Sequence, residues 1–242
     1  MNKFRTDFTL DKNINYTNSK KYNKNSIKVY QNKLDKQIHH IILFNNLYNE
    51  KNIKYILKKE ILIFLNYYNI TKNNHIFIVG LGNESNTADS IGPKVLKYIK
   101  VNSHLFNLGI NINHIKISAL EPGVLGTTGI DTKKIIKSIT KDIKPGLIIL
   151  IDSFITNNIN HLNKTIEITN TGIKPGSGIR GNNSKICEKD LKIPIITIGV
   201  PTAIEYKDKS NTLLVSTNDI DEYVYKISQI IGTALNELLY RV

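Results

Sequence analysis

The chain has 242 residues, of which 40% are hydrophobic and 22% charged, with a formal net charge of +13 at pH 7. That length allows a sizeable core in one domain, or in one domain with an appendage. It excludes two things: no apolar run reaches the ~18 residues of a membrane-spanning helix, and the single cysteine, Cys187, permits neither an intramolecular disulfide nor a cysteine-rich metal site.

Met1-Asn2-Lys3-Phe4-Arg5 is not followed by an apolar segment, so no secretory signal is expected and an intracellular protein is the simplest reading. Most of the excess positive charge falls in residues 1–75. Asn, Ile and Lys crowd the whole chain, as in proteins of AT-rich genomes, so solvated lysines are the first explanation. A basic nucleic-acid-binding face is the alternative. No basic stretch is interleaved with aromatic residues along the sequence as a single-strand binder requires.

In chain order, residues 1–25 are polar and read as a leader or loosely held arm. Residues 26–31 and 37–44 read as strands. Ile53, Ile56, Leu57, Ile61, Phe64 and Leu65 recur at helical spacing, which predicts an amphipathic helix over 50–68. A strand is expected at 75–80, a helix near 90–101, a strand at 112–119, a helix near 131–141 and a strand at 146–151. An alternating run at 165–169 and a buried strand at 193–200 follow. A last helix begins near Thr217 or Asn218, either a good N-cap, and carries Val224, Ile227, Ile231, Leu235 and Leu238 on one face. Apolar strands alternating with helices imply an α/β fold with a mostly parallel sheet covered on both faces. The expected organisation is one domain over 26–242, with 26–70 as its β-α extension.

Gly80-Leu-Gly-Asn83 ends the 75–80 strand. A dinucleotide fingerprint needs a third glycine at position 85, which is Ser, so a tight structural turn competes with any nucleotide role. Asp89 follows, in the position of a helix N-cap or in the crevice beyond the strand ends where open α/β sheets place ligands. Asp152 ends the apolar run Leu147-Ile-Ile-Leu-Ile151, and an isolated buried charge is costly there. If strands 76–80 and 147–151 are neighbours, Asp89 and Asp152 meet at one sheet edge. Like charges in one site raise one of the two pKa values, leaving an acid and a base able to activate water and protonate a leaving amine. A metal would need further ligands, and His161 is the nearest downstream imidazole, so no metal and no cofactor is expected. Asn83 is a candidate for orienting a carboxyl or the water. Gly82, Gly123, Thr127 and Thr128 belong to strand-end loops suited to lining a cleft. Ser177 lies in Pro175-Gly-Ser-Gly178, which is not a nucleophile elbow because position 175 is proline.

Phe4-Arg-Thr-Asp-Phe8, Val79-Gly-Leu-Gly-Asn83, Thr87-Ala-Asp-Ser-Ile-Gly-Pro93, Ser118-Ala-Leu-Glu-Pro-Gly-Val124, Gly126-Thr-Thr-Gly-Ile130, Ile151-Asp-Ser153, Thr171-Gly-Ile-Lys-Pro-Gly-Ser-Gly178 and Ile198-Gly-Val-Pro-Thr202 together resemble the bacterial germination proteases, spore endopeptidases. The resemblance implies a three-layer α/β/α sandwich similar to hydrogenase maturation proteases and a pair of catalytic aspartates matching Asp89 and Asp152, with no required metal. It further implies small acid-soluble spore proteins as substrates, a homotetramer, a location in the cytoplasm of the forespore or spore core, and no need of a membrane or of nucleic acid. The family is made as a zymogen; Asp7-Phe8 has the form of its cleavage site, which makes 1–7 a propeptide. Ala88, Glu121 and Arg180-Gly181 depart from the family's usual residues. A hydrogenase-maturation-type endopeptidase and a non-catalytic basic nucleic-acid-binding module are the alternatives.

Overall fold

The structure, a computed structural model, describes residues 20–110, 112–175, 185–208 and 211–241. The expected propeptide, Asp7 and Phe8 therefore lie outside the described residues, as does Ser177.

The chain enters at β1 (Lys20–Lys24), so the last part of the polar segment read as a leader is a strand. It turns through Asn25 and Ser26, both at positive φ, into β2 (Ile27–Leu34). Two residues at positive φ make the tight turn whose twist matches an antiparallel hairpin, and Asn is among the side chains that tolerate it best. β3 (Gln37–Leu43) pairs antiparallel with β2. The predicted amphipathic helix is α1 (Glu50–Tyr67). Its buried face holds the six expected apolar residues and also Glu60.

β4 (His75–Gly80) leads through a 3₁₀ turn (Thr87–Asp89) into α2 (Ile91–Leu96). The helix expected to reach 101 stops early because Tyr98 and Ile99 donate to carbonyls three residues back, closing tighter turns. After α3 (Ser103–Asn107) come β5 (Lys116–Leu120), α4 (Leu125–Thr128) and α5 (Thr132–Ile143), the last capped by the Asp131 carboxylate on the Lys133 N–H. β6 (Leu147–Thr156), β7 (Thr165–Thr169), α6 (Glu188–Leu191), β8 (Ile195–Asp208), β9 (Asn211–Val215) and α7 (Ile220–Leu239) complete the chain. β8 outruns the expected strand end at 200 because Pro201 falls where the β6–β8 register shifts, a place where a missing N–H is tolerated. The N-cap of α7 is Asp219 rather than Thr217 or Asn218.

The sheet runs β1-β2-β3-β7-β8-β6-β4-β5, with β9 on β8. The expectation of a mostly parallel sheet is corrected. Only β4–β5, β4–β6 and β6–β8 are parallel, and the other five pairings are antiparallel. Helical crossovers govern the β4–β5 and β4–β6 region, whereas β1–β3 and β8–β9 are joined as hairpins, which can pair only antiparallel. Strand alternation splits the core between the two faces. Ile76, Ile78, Leu147, Ile149 and Ile151 pack with α1, α2 and α7; Phe77, Val79, Ile148 and Leu150 pack with Ile136 of α5. Among the described residues no helix is long and apolar enough to cross a membrane.

Candidate active site

β4 and β6 are parallel neighbours, with Gly80, the last residue of β4, opposite Ile151. The strand expected to end at 151 runs on to Thr156 because it keeps pairing with β8, so Asp152 lies within β6 just past the end of β4. The Leu81 N–H donates to the Ile151 carbonyl at 2.8 Å and ties the first turn residue to the second strand. Asp152 follows Ile151 directly and is only 6% exposed. Its Oδ1 accepts the Ser153 N–H at 2.9 Å.

The turn after β4 is shaped by backbone contact. Gly80 and Gly92 abut: a Cβ on Gly80 would stand 2.5 Å from the Gly92 carbonyl oxygen, so α2 can sit directly on the strand end. Gly82 has φ +113° and leaves room for the carbonyl of Asp89. These glycines serve close packing, which accounts for the Gly-x-Gly pattern without a nucleotide.

Asp89 is half-buried at the end of the 3₁₀ turn. It does not cap α2. The Asn83 N–H donates both to the Asp89 Oδ2 at 3.1 Å and to the Asp89 main-chain carbonyl at 2.9 Å, holding the carboxyl across the loop. Asn83 thus orients the carboxyl by its main chain, while its side-chain oxygen accepts the Ser85 N–H. Burial pushes the Asp89 carboxyl up to about 6 against the smaller opposing pull of the Asn83 N–H. Elements on both sides hold the turn. The buried Thr202 hydroxyl of β8 donates to the Ala88 carbonyl, Thr87 donates to Asp221 of α7 at 2.7 Å, and the Ile91 N–H donates to the Ser153 hydroxyl at 3.3 Å. Ser153 and Thr202 fall in segments that carry the resemblance, but the sequence alone assigns them no role, and it does not mark Asp221 at all; the tertiary contacts pick out all three.

Asp89 and Asp152 line one cleft of about 530 Å³, together with Gly82, Asn83, Gly123, Thr127 and Pro175. Gly123, at φ +69°, starts the wall formed by α4. The Thr127 hydroxyl donates to the Val124 carbonyl at 3.0 Å at the cleft edge. Thr128 is not among the residues lining the cleft, and its hydroxyl bonds within its own turn, to Val124 and Ile130. Gly199, opposite Asp152 on β8, has no side chain because the Phe154 ring occupies the space. Among the described residues no group of three or more His, Cys, Asp or Glu side chains is arranged to hold a metal ion. Chemically the cleft offers two carboxyls, one with raised proton affinity, beside a wall of small residues.

The family model described as "Germination protease" matches residues 13–208. A germination protease of Oceanobacillus iheyensis is 38% identical over 174 residues, covering 71% of this chain and 46% of the relative. Those of a Geobacillus species and of Bacillus cereus strain AH187 are each 38% identical over 159 residues, covering 64% of this chain and 43% of the relative. The chain spans less than half the length of these curated relatives.

Proposed function

The chain belongs to the germination protease family, and we propose on that footing that its Asp89–Asp152 cleft hydrolyses peptide bonds of small acid-soluble spore proteins during germination. The observation carrying this reading is that Asp152 on β6 and Asp89 in the 3₁₀ turn that follows the neighbouring parallel strand β4 line one cleft. The pair shares one proton. The ionised member takes a proton from a water, which attacks the scissile carbonyl; the protonated member gives its proton to the departing amine. Coupled acids titrate as a unit, and the burial that lifts Asp89 to about 6 lets the site hold a proton up to about that pH, well above where an exposed carboxyl loses it. Gly123 and Thr127, with Gly82, form the wall against which an extended peptide lies, and Ser177 is a further substrate contact.

Self-cleavage between Asp7 and Phe8 to release the 1–7 propeptide, assembly as a homotetramer and residence in the forespore or spore core belong to the same proposal. So does kinship with the α/β/α fold of hydrogenase maturation proteases, supported by helices on both sheet faces.

The test is incubation of the purified chain with a small acid-soluble spore protein, with and without chelator, followed by mapping of the cut bonds. Cuts after acidic residues, insensitive to chelator and lost in Asp152→Asn, are expected. Full activity in Asp152→Asn ends the proposal, and cleavage that depends on nickel favours the maturation-type reading.

A further inference from the structure

The N-terminal hairpin and α1 build a surface that the cleft does not use. Tyr55, Lys59, Ile63 and Tyr67 follow one another at four-residue intervals on α1 and form one stripe. Tyr55 is 49% exposed, Ile63 37% and Tyr67 36%. β1 and β2 lie alongside, pinned by one buried carboxylate. Tyr22 donates to Glu60 at 2.5 Å, Gln31 donates to it at 2.7 Å, and His40 Nδ1 approaches it at 2.8 Å.

This docking interleaves cations and rings from separate elements. Lys24 Nζ stands 4.1 Å from the centroid of Tyr55, Lys59 Nζ 4.8 Å from that of Tyr22, and Lys33 Nζ 5.2 Å from that of Tyr67. All three lysines are exposed. The ring beneath each ammonium holds it at the surface, so less side-chain freedom is lost when it meets an anion. The nearby acids do not neutralise the face. Glu60 is buried and committed to its three partners, and Glu237 is taken by Lys54 and Lys58. Asp35, in the β2–β3 turn, and Glu50, at the start of α1, are the other acids of these elements.

We propose that this face binds the phosphate backbone of duplex nucleic acid without reading its sequence. Charge complementarity calls for a regular polyanion. Each ring already carries a lysine, so no open aromatic platform is offered to unstacked bases, and phosphates rather than bases are the partner. Held on a face apart from the cleft residues, the contact would keep the chain on nucleic acid while the cleft works.

The experiment is fluorescence anisotropy of the full chain with a labelled random-sequence DNA duplex of about 20 base pairs, titrated from about 50 to 200 mM salt. Wild type is expected to bind with steep salt dependence. The triple variant Lys24→Gln, Lys33→Gln, Lys59→Gln is expected to bind about tenfold or more weakly, with a log–log slope shallower by about 3, close to one per lost phosphate contact. It should still cleave a short peptide substrate, which shows that it folds. Asp152→Asn should bind the duplex as wild type does, which separates this surface from the hydrolase reading. Absence of binding at the lower salt, an unchanged triple variant, tighter binding of the single strand, equal competition by polyglutamate, or loss of self-association in place of duplex binding would each overturn the proposal.

Discussion

A side chain at Gly82 has no room, because the Asp89 carbonyl oxygen stands 2.0 Å from where its Cβ would be. The residue also sits at φ +113°, where an L side chain is strained. Gly82→Ala is therefore expected to cost about 2–4 kcal/mol in urea unfolding and to cut peptide cleavage sharply, because the loop holding Asp89 must move. A variant with native stability and activity would show that the close approach is dispensable.

The raised carboxyl of Asp89 makes stability depend on pH. Its folded value of about 6 lies above the ordinary 3.8. The folded state thus binds the proton more tightly than the unfolded chain, and this contribution is complete below 3.8 and lost as pH rises through about 6. Asp89→Asn cannot ionise and escapes that loss. It should be more stable than wild type at pH 7 by up to about 3 kcal/mol, with the difference vanishing below about pH 4. Urea titrations at the two pH values decide the matter; a variant less stable at pH 7 contradicts it.

Catalysis should follow the same proton. If the pair acts with one proton between its members, cleavage rate declines as pH rises through about 6. A pH–rate profile that stays flat from pH 5 to 8 would exclude a shared-proton pair. Asp152→Asn is expected to lower the rate at least about a hundredfold at every pH, as loss of a general acid–base group does, with far-UV circular dichroism unchanged.

Thr202 touches the Ala88 carbonyl rather than the cleft. It is a positioning residue for the Asp89 turn. Thr202→Val keeps the volume and removes the hydroxyl, leaving a carbonyl without that donor at a cost of about 1–3 kcal/mol. kcat should fall with KM little changed, the descending limb of the pH profile should shift, and Thr202→Ser should restore both. An unshifted profile in Thr202→Val would leave only a structural role.

Glu60 anchors the hairpin to α1. Burial alone would raise its carboxyl, but His40, Tyr22 and Gln31 outweigh burial and hold it below the ordinary carboxylate value. Its contribution is present above that value and disappears as pH falls through the lowered one. Glu60→Ala should cost about 3–5 kcal/mol at pH 7, and the gap to wild type should narrow in acid. A loss unchanged at acid pH would assign the effect to packing alone.

Local physics made much of this molecule legible in the chain itself. The 3.6-residue recurrence from Ile53 to Leu65 defines α1, and the run Leu147–Ile151 marks the buried first half of β6, because periodicity and burial need only neighbouring residues; that β6 runs on through Asp152 to Thr156 depends on its pairing with β8. The same reasoning puts Asp152 directly after an apolar strand run and Asp89 in the loop beyond β4. It could not make them neighbours. That required β4 beside β6 in one register, a choice settled by the packing of the whole sheet. Strand direction was misjudged for the same reason: β7 looks like any alternating strand, and only its place between β3 and β8 makes it antiparallel to both. Thr202, Asp221 and Glu60, and the lysines that rest on Tyr22, Tyr55 and Tyr67, take their roles from residues far along the chain. Those contacts exist only once burial of the two apolar sheet faces has brought the distant segments together.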